Sequence, residues 1–182
     1  MIRAFLLITI FAAALCAASG SVDLSGRAYD PFSQPARVRV FVFVRTDCPI
    51  TNRYAPELSR IAAEFSGQNV AFWIVYPDAS ETPASIRAHL AAYHFPGQPL
   101  RDLDHELVRR AHVTVAPEAA VFNSSGALVY HGRIDDRYVD WGKARVQATT
   151  HELEDAIAAV VAGRPVRRPV TRAIGCSLAD VE

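Results

Sequence analysis

Apolar and polar positions follow two different periods along the chain, and together they predict strands alternating with helices. Residues 37–44 (RVRVFVFV) and 70–76 (VAFWIVY) are rich in valine and aromatic residues, which is typical of buried strands. Between them, apolar residues recur at helical spacing from Leu58 to Phe65, and Gly67 ends that helix. The first half of the domain is therefore predicted to be a strand–helix–strand unit.

The pattern continues with two further helices. Thr82 followed by proline predicts the start of a helix that runs to His94. The proline- and glycine-rich stretch 96–99 is expected to break the chain. Asp104 is then expected to cap a short helix that ends near His112.

A hairpin and a last helix complete the predicted domain. Residues 119–122 and 128–134 are predicted strands joined by a Ser-Ser-Gly turn. Thr149 and Glu152 have capping-box spacing, and the helix behind them stops at Gly163. The order β-α-β-α-(α)-β-β-α predicts an α/β fold with a central mixed β-sheet flanked by helices on both faces.

The N-terminus has the pattern of an export signal. A short basic start precedes the uncharged apolar run 4–18 and then small residues, so residues 1–20 are predicted to be a secretory signal peptide. An uncleaved anchor is the alternative, although the run is short for a membrane span. Residues 21–36 are expected to form a lead-in loop, 37–162 the domain, and 163–182 a Pro/Arg-rich tail. Cleavage would leave a periplasmic protein without stable membrane insertion.

Composition narrows the classes of function. The chain has 182 residues, of which 51% are apolar, and its 19 basic residues equal its 19 acidic ones. This balance gives no reason to expect a nucleic-acid partner. The six histidines lack metal-site spacing and no nucleotide-binding glycine loop is present, so we expect no metal and no cofactor. Cys16 would leave with the signal peptide, and Cys48 and Cys176 would remain.

Cys48 carries the candidate chemistry. It follows a predicted buried strand directly and begins a helix whose first turn contains Pro49. The positive end of the helix dipole stabilises a thiolate at this position, so Cys48 is expected to be a partly exposed, reactive thiol. A buried, inert cysteine is the alternative. Thr51 follows three residues later, and its hydroxyl can hydrogen-bond a thiolate but cannot form a disulfide.

Three local features resemble the thioredoxin-like superfamily. They are the helix-start cysteine, a proline eight residues after it at Pro56, and the Val-Ala-Pro sequence that ends at Pro117 just before a strand. The last of these resembles the cis-proline loop of that fold. The stretches DCPITNRYAPEL and GRIDDRYVDWGKAR and the Gly-Cys pair at 175–176 resemble bacterial exported redoxins, over roughly residues 30–178.

This resemblance implies a thiol–disulfide oxidoreductase with Cys48 as the attacking thiol. Its partners would be a protein or small-molecule thiol or disulfide and an external reductant. Pro117 and Ala116 would shape the docking groove, and Asp47 and Pro49, which flank the reacting sulfur, would contact the substrate.

The sequence departs from the relatives at three positions. Thr51 replaces the second cysteine of thioredoxins, Arg45 the hydroxyl residue of peroxiredoxins, and Asn52 the second cysteine of related copper chaperones. A thiol peroxidase and a non-catalytic copper carrier or partner-binding module therefore remain as alternatives.

Two regions distant in sequence are expected near Cys48. The tail from Gly163 to Cys176 can span at most about 43–47 Å, which is enough to return from the last helix. A Cys48–Cys176 disulfide is therefore the hypothesis, with a free or intermolecular Cys176 as the alternative. The loop 135–148 is expected to overhang the site and to contribute an aromatic and cationic rim for substrate from Arg137, Tyr138 and Trp141. A solvated loop with Trp141 packed on the core is the alternative.

Overall fold

The computed structural model describes residues 20–178, so all but the last residue of the predicted signal peptide lies outside it. The strands are β1 Ser21–Val22, β2 Val38–Phe43, β3 Val70–Tyr76, β4 Gln98–Asp102, β5 Val115–Ala116, β6 Glu118–Asn123, β7 Leu128–Gly132, β8 Tyr138–Asp140, β9 Lys143–Ala144 and β10 Cys176–Ser177. The helices are α1 Pro49–Glu64, α2 Pro83–Tyr93, α3 Glu106–Ala111 and α4 Glu152–Val161.

Six of the strands form one mixed sheet in the order β1-β4-β3-β2-β6-β7. Strands β2, β3 and β4 are parallel, whereas β6 runs antiparallel to β2, β7 to β6, and β1 to β4. This confirms the predicted mixed α/β sheet. Every residue of the central strand β2 is buried, as its valine and phenylalanine residues predict. Arg39 is buried as well, and its guanidinium donates to backbone carbonyls such as that of Gln34.

Alternate residues of β2 belong to two apolar cores, one on each face of the sheet. Val40 and Val42 pack in the core that includes residues of α1, α2 and α4. Phe41 and Phe43 pack in the other core, which includes residues of α3. The period-two alternation of a strand therefore accounts for helices on both faces.

The break predicted at residues 96–99 lies between α2 and β4, but the prediction missed the strand β4, which begins at Gln98. Pro99 is accommodated because the neighbour on one side, β1, pairs only with Arg101 and Asp102. On that side Pro99 therefore has no ladder hydrogen bond to lose. The prediction that residues 21–36 form a lead-in loop was also wrong in part, because β1 in this segment pairs with β4 of the sheet.

Helix caps were predicted with mixed success. The Thr82 hydroxyl accepts a hydrogen bond from the Ser85 N–H at 3.1 Å, which confirms the cap of α2. Asp104, however, does not cap α3. The buried carboxylate of Asp102 accepts two N–H bonds from the first turn of α3, at 3.2 and 2.9 Å.

The capping box predicted at α4 is absent. Thr149 donates its hydroxyl to Asp136, and Glu152 pairs with Arg133 instead of bonding back to the residue that precedes the helix. Helix α1 does contain Pro56, as expected. None of the helices within residues 20–178 is both long and apolar enough to cross a membrane.

Candidate active site

Cys48 lies at the N-cap position of α1, and Pro49 occupies the first turn. The predicted place of the cysteine at a helix start is therefore confirmed. Its predicted partial exposure is wrong, because Cys48 has no exposed surface and packs within the core of α1, α2 and α4. The physical reason is the C-terminal tail, which covers the start of the helix.

Cys48 and Cys176 form a disulfide, with their Cα atoms 6.1 Å apart. This confirms the predicted pairing between residues that are 128 positions apart in sequence. The separation of the Cα atoms lies within the usual range for such bonds. The tail therefore returns from the end of α4 to the start of α1.

Two stretches of backbone hold the tail in place. Farther from the disulfide, the His131 N–H donates to the Pro169 carbonyl at 2.9 Å, and the Thr171 N–H donates to the His131 carbonyl at 3.1 Å. At the disulfide itself, β10 pairs antiparallel with β5, so that Cys176 lies opposite Ala116. The tail thus adds a short strand beside the candidate cysteine.

Gly175 is required by the close approach of these two strands. A Cβ atom at this position would lie 2.2 Å from the Ala116 carbonyl oxygen, closer than any ordinary contact. Gly132 plays a similar part at the other attachment, since its Cβ would lie 2.2 Å from Thr171 Oγ1. Sequence reasoning noted Gly175 only through the resemblance and missed Gly132.

The turn before β6 also lies against the sulfur. The Ala116–Pro117 peptide bond is cis, as the resemblance implied. The Ala116 carbonyl oxygen lies 3.2 Å from Cys48 Sγ, so a reduced Cys48 thiol could donate a hydrogen bond to it. This carbonyl favours the protonated thiol, whereas the start of α1 favours the thiolate.

Thr51 is fully buried in the first turns of α1. Its hydroxyl has no hydrogen-bond partner among the described atoms, so the disulfide form does not use it. The predicted bond to a Cys48 thiolate remains a prediction for the reduced protein.

Arg45 connects the turn before α1 with the tail, a role that the sequence did not reveal. Its guanidinium donates to both carboxylate oxygens of Asp47 at 3.1 Å and to the Ser177 carbonyl at 3.3 Å. It also pairs with Asp78 at 3.6 Å. The hydrogen bond from Arg45 lowers the pKa of Asp47, which lies exposed beside Cys48.

Two buried carboxylates support the backbone on either side of the disulfide. Glu81 accepts a hydrogen bond from the Thr46 N–H at 2.6 Å, two residues before Cys48. Glu118 accepts one from the Thr114 N–H at 2.9 Å, next to β5. Burial raises the pKa of both Glu81 and Glu118. Sequence reasoning missed both carboxylates.

His89 of α2 contacts the helix that carries Cys48, a role that the sequence did not reveal. Its Nε2 lies 2.7 Å from Asn52 Oδ1 and its Nδ1 lies 2.9 Å from the Tyr76 hydroxyl. The side chain is buried, and desolvation lowers the pKa of His89. The chain Asn52–His89–Tyr76 therefore joins α1, α2 and β3 by polar contacts.

The loop 135–148 contributes one exposed aromatic residue to the neighbourhood of the tail. Trp141 is 63% exposed and lines an open cavity of about 420 Å³ together with Glu118, Arg172 and Gly175. Tyr138 is buried against Tyr54, with ring centroids 5.6 Å apart, so it lies beneath the predicted rim. Arg137 is partly buried.

A metal site at the cysteines finds no support among residues 20–178. The group there whose side chains come close enough to hold an ion is Glu57, His151 and Glu154, and it includes neither cysteine. Both of its carboxylates already pair with Arg60.

Comparison with known proteins gives structural neighbours only. No family model matches the chain, and no curated protein matches it in sequence. A hypothetical protein from Sinorhizobium meliloti has a TM-score of 0.72 at 23% identity, with 86% of this chain and 87% of that chain covered.

Two further neighbours have descriptive names. A secreted Mycobacterium tuberculosis disulfide oxidoreductase has a TM-score of 0.52 at 22% identity, with 79% of this chain and 93% of that chain covered. A thioredoxin-like protein from Aeropyrum pernix has a TM-score of 0.56 at 15% identity, with 80% and 89% covered. Together with the sheet order, the helix-start cysteine and the turn before β6, these neighbours establish that the chain has a thioredoxin-like fold.

Proposed function

We propose that the protein is an exported thiol–disulfide oxidoreductase whose redox pair is Cys48 and Cys176. The observation that carries the proposal is the disulfide between them, which brings a tail cysteine to the start of α1. A disulfide with one partner at a helix start and the other on a separate segment has the parts of an exchange site. The secreted disulfide oxidoreductase among the structural neighbours supports the same chemistry.

The reduced protein would act in two exchange steps. The Cys48 thiolate attacks a substrate disulfide, forms a mixed disulfide with one substrate sulfur and releases the other as a thiolate that takes up a proton. The Cys176 thiolate then attacks Cys48 Sγ and releases the second substrate thiol. In sum, two protein thiols are oxidised to one disulfide and one substrate disulfide is reduced to two thiols. An external thiol reductant restores the protein.

The proposed roles of the surrounding residues follow from their places. The start of α1 at Pro49 and the buried Thr51 hydroxyl would stabilise the Cys48 thiolate. Ala116 and Pro117 would present the backbone edge of β5 to a substrate strand. That edge is occupied by β10 in the disulfide form, so the tail has to lift before an extended substrate can pair there.

Substrate contacts would come from residues at the same end of the sheet. Asp47 lies beside the reacting sulfur, and Trp141 and Arg137 belong to the loop that reaches the tail. Tyr138 would hold this loop on the core. We propose a domain over residues 37–162 with an N-terminal export signal, periplasmic localisation, and a tail, 163–182, that completes the site.

The experiment compares the reduced mature protein with its Cys48→Ser and Cys176→Ser variants in the reduction of insulin and of glutathione disulfide. Ser177→Ala is the matched control, since Ser177 is exposed and contributes backbone contacts only. We expect Cys48→Ser to lose at least about 100-fold in turnover, Cys176→Ser to stall as a mixed disulfide at Cys48, and Ser177→Ala to act as wild type. Equal turnover by all four proteins, or consumption of peroxide in preference to disulfides, would contradict the proposal.

A further inference from the structure

The two sulfur atoms of the disulfide have different surroundings. Cys48 has no exposed surface and lies in the apolar core together with Val44 and Ile50. Cys176 is partly exposed and belongs to the tail that covers this core from outside. The preceding residue, Gly175, lines the same open cavity as Trp141. Cys48 therefore provides the inner sulfur of the bond and Cys176 the outer sulfur.

Exchange chemistry distinguishes an inner from an outer sulfur. A thiolate attacks a disulfide along the line of the S–S bond, on the side of the attacked sulfur that faces away from its partner. In the closed disulfide form Cys48 Sγ has no exposed surface, so a thiolate can reach it only after the tail has lifted. The same lifting is needed when Cys176 displaces a substrate sulfur from Cys48. An attack on Cys176 comes from the side of the tail and solvent.

We infer that a reducing thiol opens the oxidised protein at Cys176, so that the mixed disulfide forms on the tail and Cys48 is the leaving group. This inference rests on the proposed function and assigns the sulfur at which the reducing partner enters. The thiolate of the partner forms a bond to Cys176 Sγ while the Cys176–Cys48 bond breaks. The bonding electron pair leaves with Cys48. A second partner thiolate then releases Cys176 and carries away an oxidised partner.

The surroundings of Cys48 suit a leaving group. The departing sulfur lies at the start of the 16-residue helix α1, where aligned peptide dipoles stabilise negative charge. If the Cys48 sulfur takes up a proton, its S–H group can donate a hydrogen bond to the Ala116 carbonyl oxygen, which lies 3.2 Å away. Cys176 lies on a two-residue strand, and its sulfur is one bond farther from the start of α1 than that of Cys48. Exchange is faster when the better-stabilised thiolate leaves, so the same direction of cleavage is favoured.

The test uses the oxidised mature protein and reduced glutathione as the probe. Samples are quenched with acid at early times, alkylated under denaturing conditions, digested and mapped by mass spectrometry. We expect the glutathione adduct on Cys176 to exceed that on Cys48 by at least about tenfold when extrapolated to zero time, with Cys48 alkylated in the same molecules.

The variant Gly175→Ala tests the cause, because its Cβ cannot fit against the Ala116 carbonyl and must lift the tail. It should raise the share of adduct on Cys48, whereas the control Ser177→Ala should leave the distribution unchanged. Adducts mainly on Cys48 in the wild-type protein, or an unchanged distribution in Gly175→Ala, would overturn the inference and leave the proposed function intact. A native disulfide that neither glutathione nor dithiothreitol opens would overturn both.

Discussion

At the scale of single residues, His89 connects α1 to the strand and helix behind it. Its two ring nitrogens face Asn52 and Tyr76, and the ring is buried. Replacing it in His89→Gln should leave at least one of these buried partners unpaired and lower the free energy of unfolding by about 1–3 kcal/mol at pH 7.5. Urea denaturation of both proteins measures the difference.

The same residue predicts a dependence on pH. Desolvation lowers the pKa of folded His89 below its ordinary 6.5, so the unfolded chain binds the proton more readily. The stability that His89 contributes is therefore complete above pH 6.5 and is lost as the pH falls through the folded pKa. The gap between wild type and His89→Gln should narrow over that range. His94→Asn is the control, since His94 is exposed and asparagine tolerates its positive φ. A gap that stays constant from about pH 7.5 to about pH 5 would argue against this account.

Residues were predictable where the chemistry of one side chain decides its place. Cys48 could be located because a cysteine directly between a buried strand and a helix start is typical of a thiol exchange site, and the reach of the tail made Cys176 a partner. His89 and Glu81 could not be found, because a polar side chain in a mostly exposed segment gives no sign that it points inward. Their burial depends on how α1 and α2 pack, which is a tertiary property.

At the scale of elements, Asp136 anchors the loop that carries Trp141 to the start of α4. Burial alone would raise the pKa of Asp136, but hydrogen bonds from Thr149 and Thr150 outweigh it and hold the pKa at about 2. Because the pKa of Asp136 is lowered, its carboxylate stabilises the fold fully at pH values above 3.8. This stabilisation is lost as the pH falls from 3.8 through about 2. We expect Asp136→Asn to cost roughly 1–2 kcal/mol of unfolding free energy at pH 7, allowing for solvent screening.

The control for this anchor is Asp140→Asn in the same loop, where the carboxylate is 59% exposed and has a distant lysine partner. That variant should change stability by less than about 0.5 kcal/mol. Denaturation at about pH 7 and about pH 3 separates the two variants, because the cost of Asp136→Asn should be smaller at the lower pH. Equal costs for both substitutions would contradict the anchoring role.

Trp141 gives a prediction about the exposed tip of that loop. Because its side chain is 63% exposed, Trp141→Ala should change the free energy of unfolding by less than about 0.5 kcal/mol. Because Trp141 is proposed to contact the substrate, the Trp141→Ala variant should turn over peptide disulfides several-fold more slowly than wild type. Its turnover of glutathione disulfide should fall less. Steady-state assays with both substrates check this. The control Val146→Ala changes a more exposed apolar residue that does not line the cavity.

The predictability of elements followed their length and the way their hydrogen bonds are satisfied. The long strands β2 and β3 were recognised from continuous runs of valine and aromatic residues, α1 from its apolar periodicity, and α2 from its start at Thr82 and Pro83. The two-residue strands β1, β5 and β10 have no period to detect and exist only because a partner strand lies beside them. The tail strand that closes the candidate site was therefore not predictable from local pattern, although its cysteine was.

At the scale of the whole molecule, the disulfide closes a loop that contains nearly the entire domain. The bond joins residues 128 positions apart, so it restricts the unfolded chain strongly, and a chain-entropy argument gives up to about 5 kcal/mol of stabilisation. We also expect reduction to loosen β10, which pairs with β5 in the disulfide form, and to expose the buried side chain of Leu178. We expect dithiothreitol to lower the free energy of unfolding by about 2–5 kcal/mol.

This loss of stability should occur mainly in the tail and around Cys48, because the six-stranded sheet is held together by its own hydrogen bonds and does not include β10. Hydrogen exchange of the reduced protein should therefore speed up in β5, β10 and the first turn of α1 by more than in β2 and β3. Cys176→Ser should match the reduced wild type in stability and should no longer respond to dithiothreitol, whereas Ser177→Ala should respond as wild type does. Reduced and oxidised proteins that unfold at the same urea concentration, with the same hydrogen-exchange pattern, would show that the tail neither stabilises the domain nor covers Cys48. The proposal that the site opens by release of the tail would then be wrong.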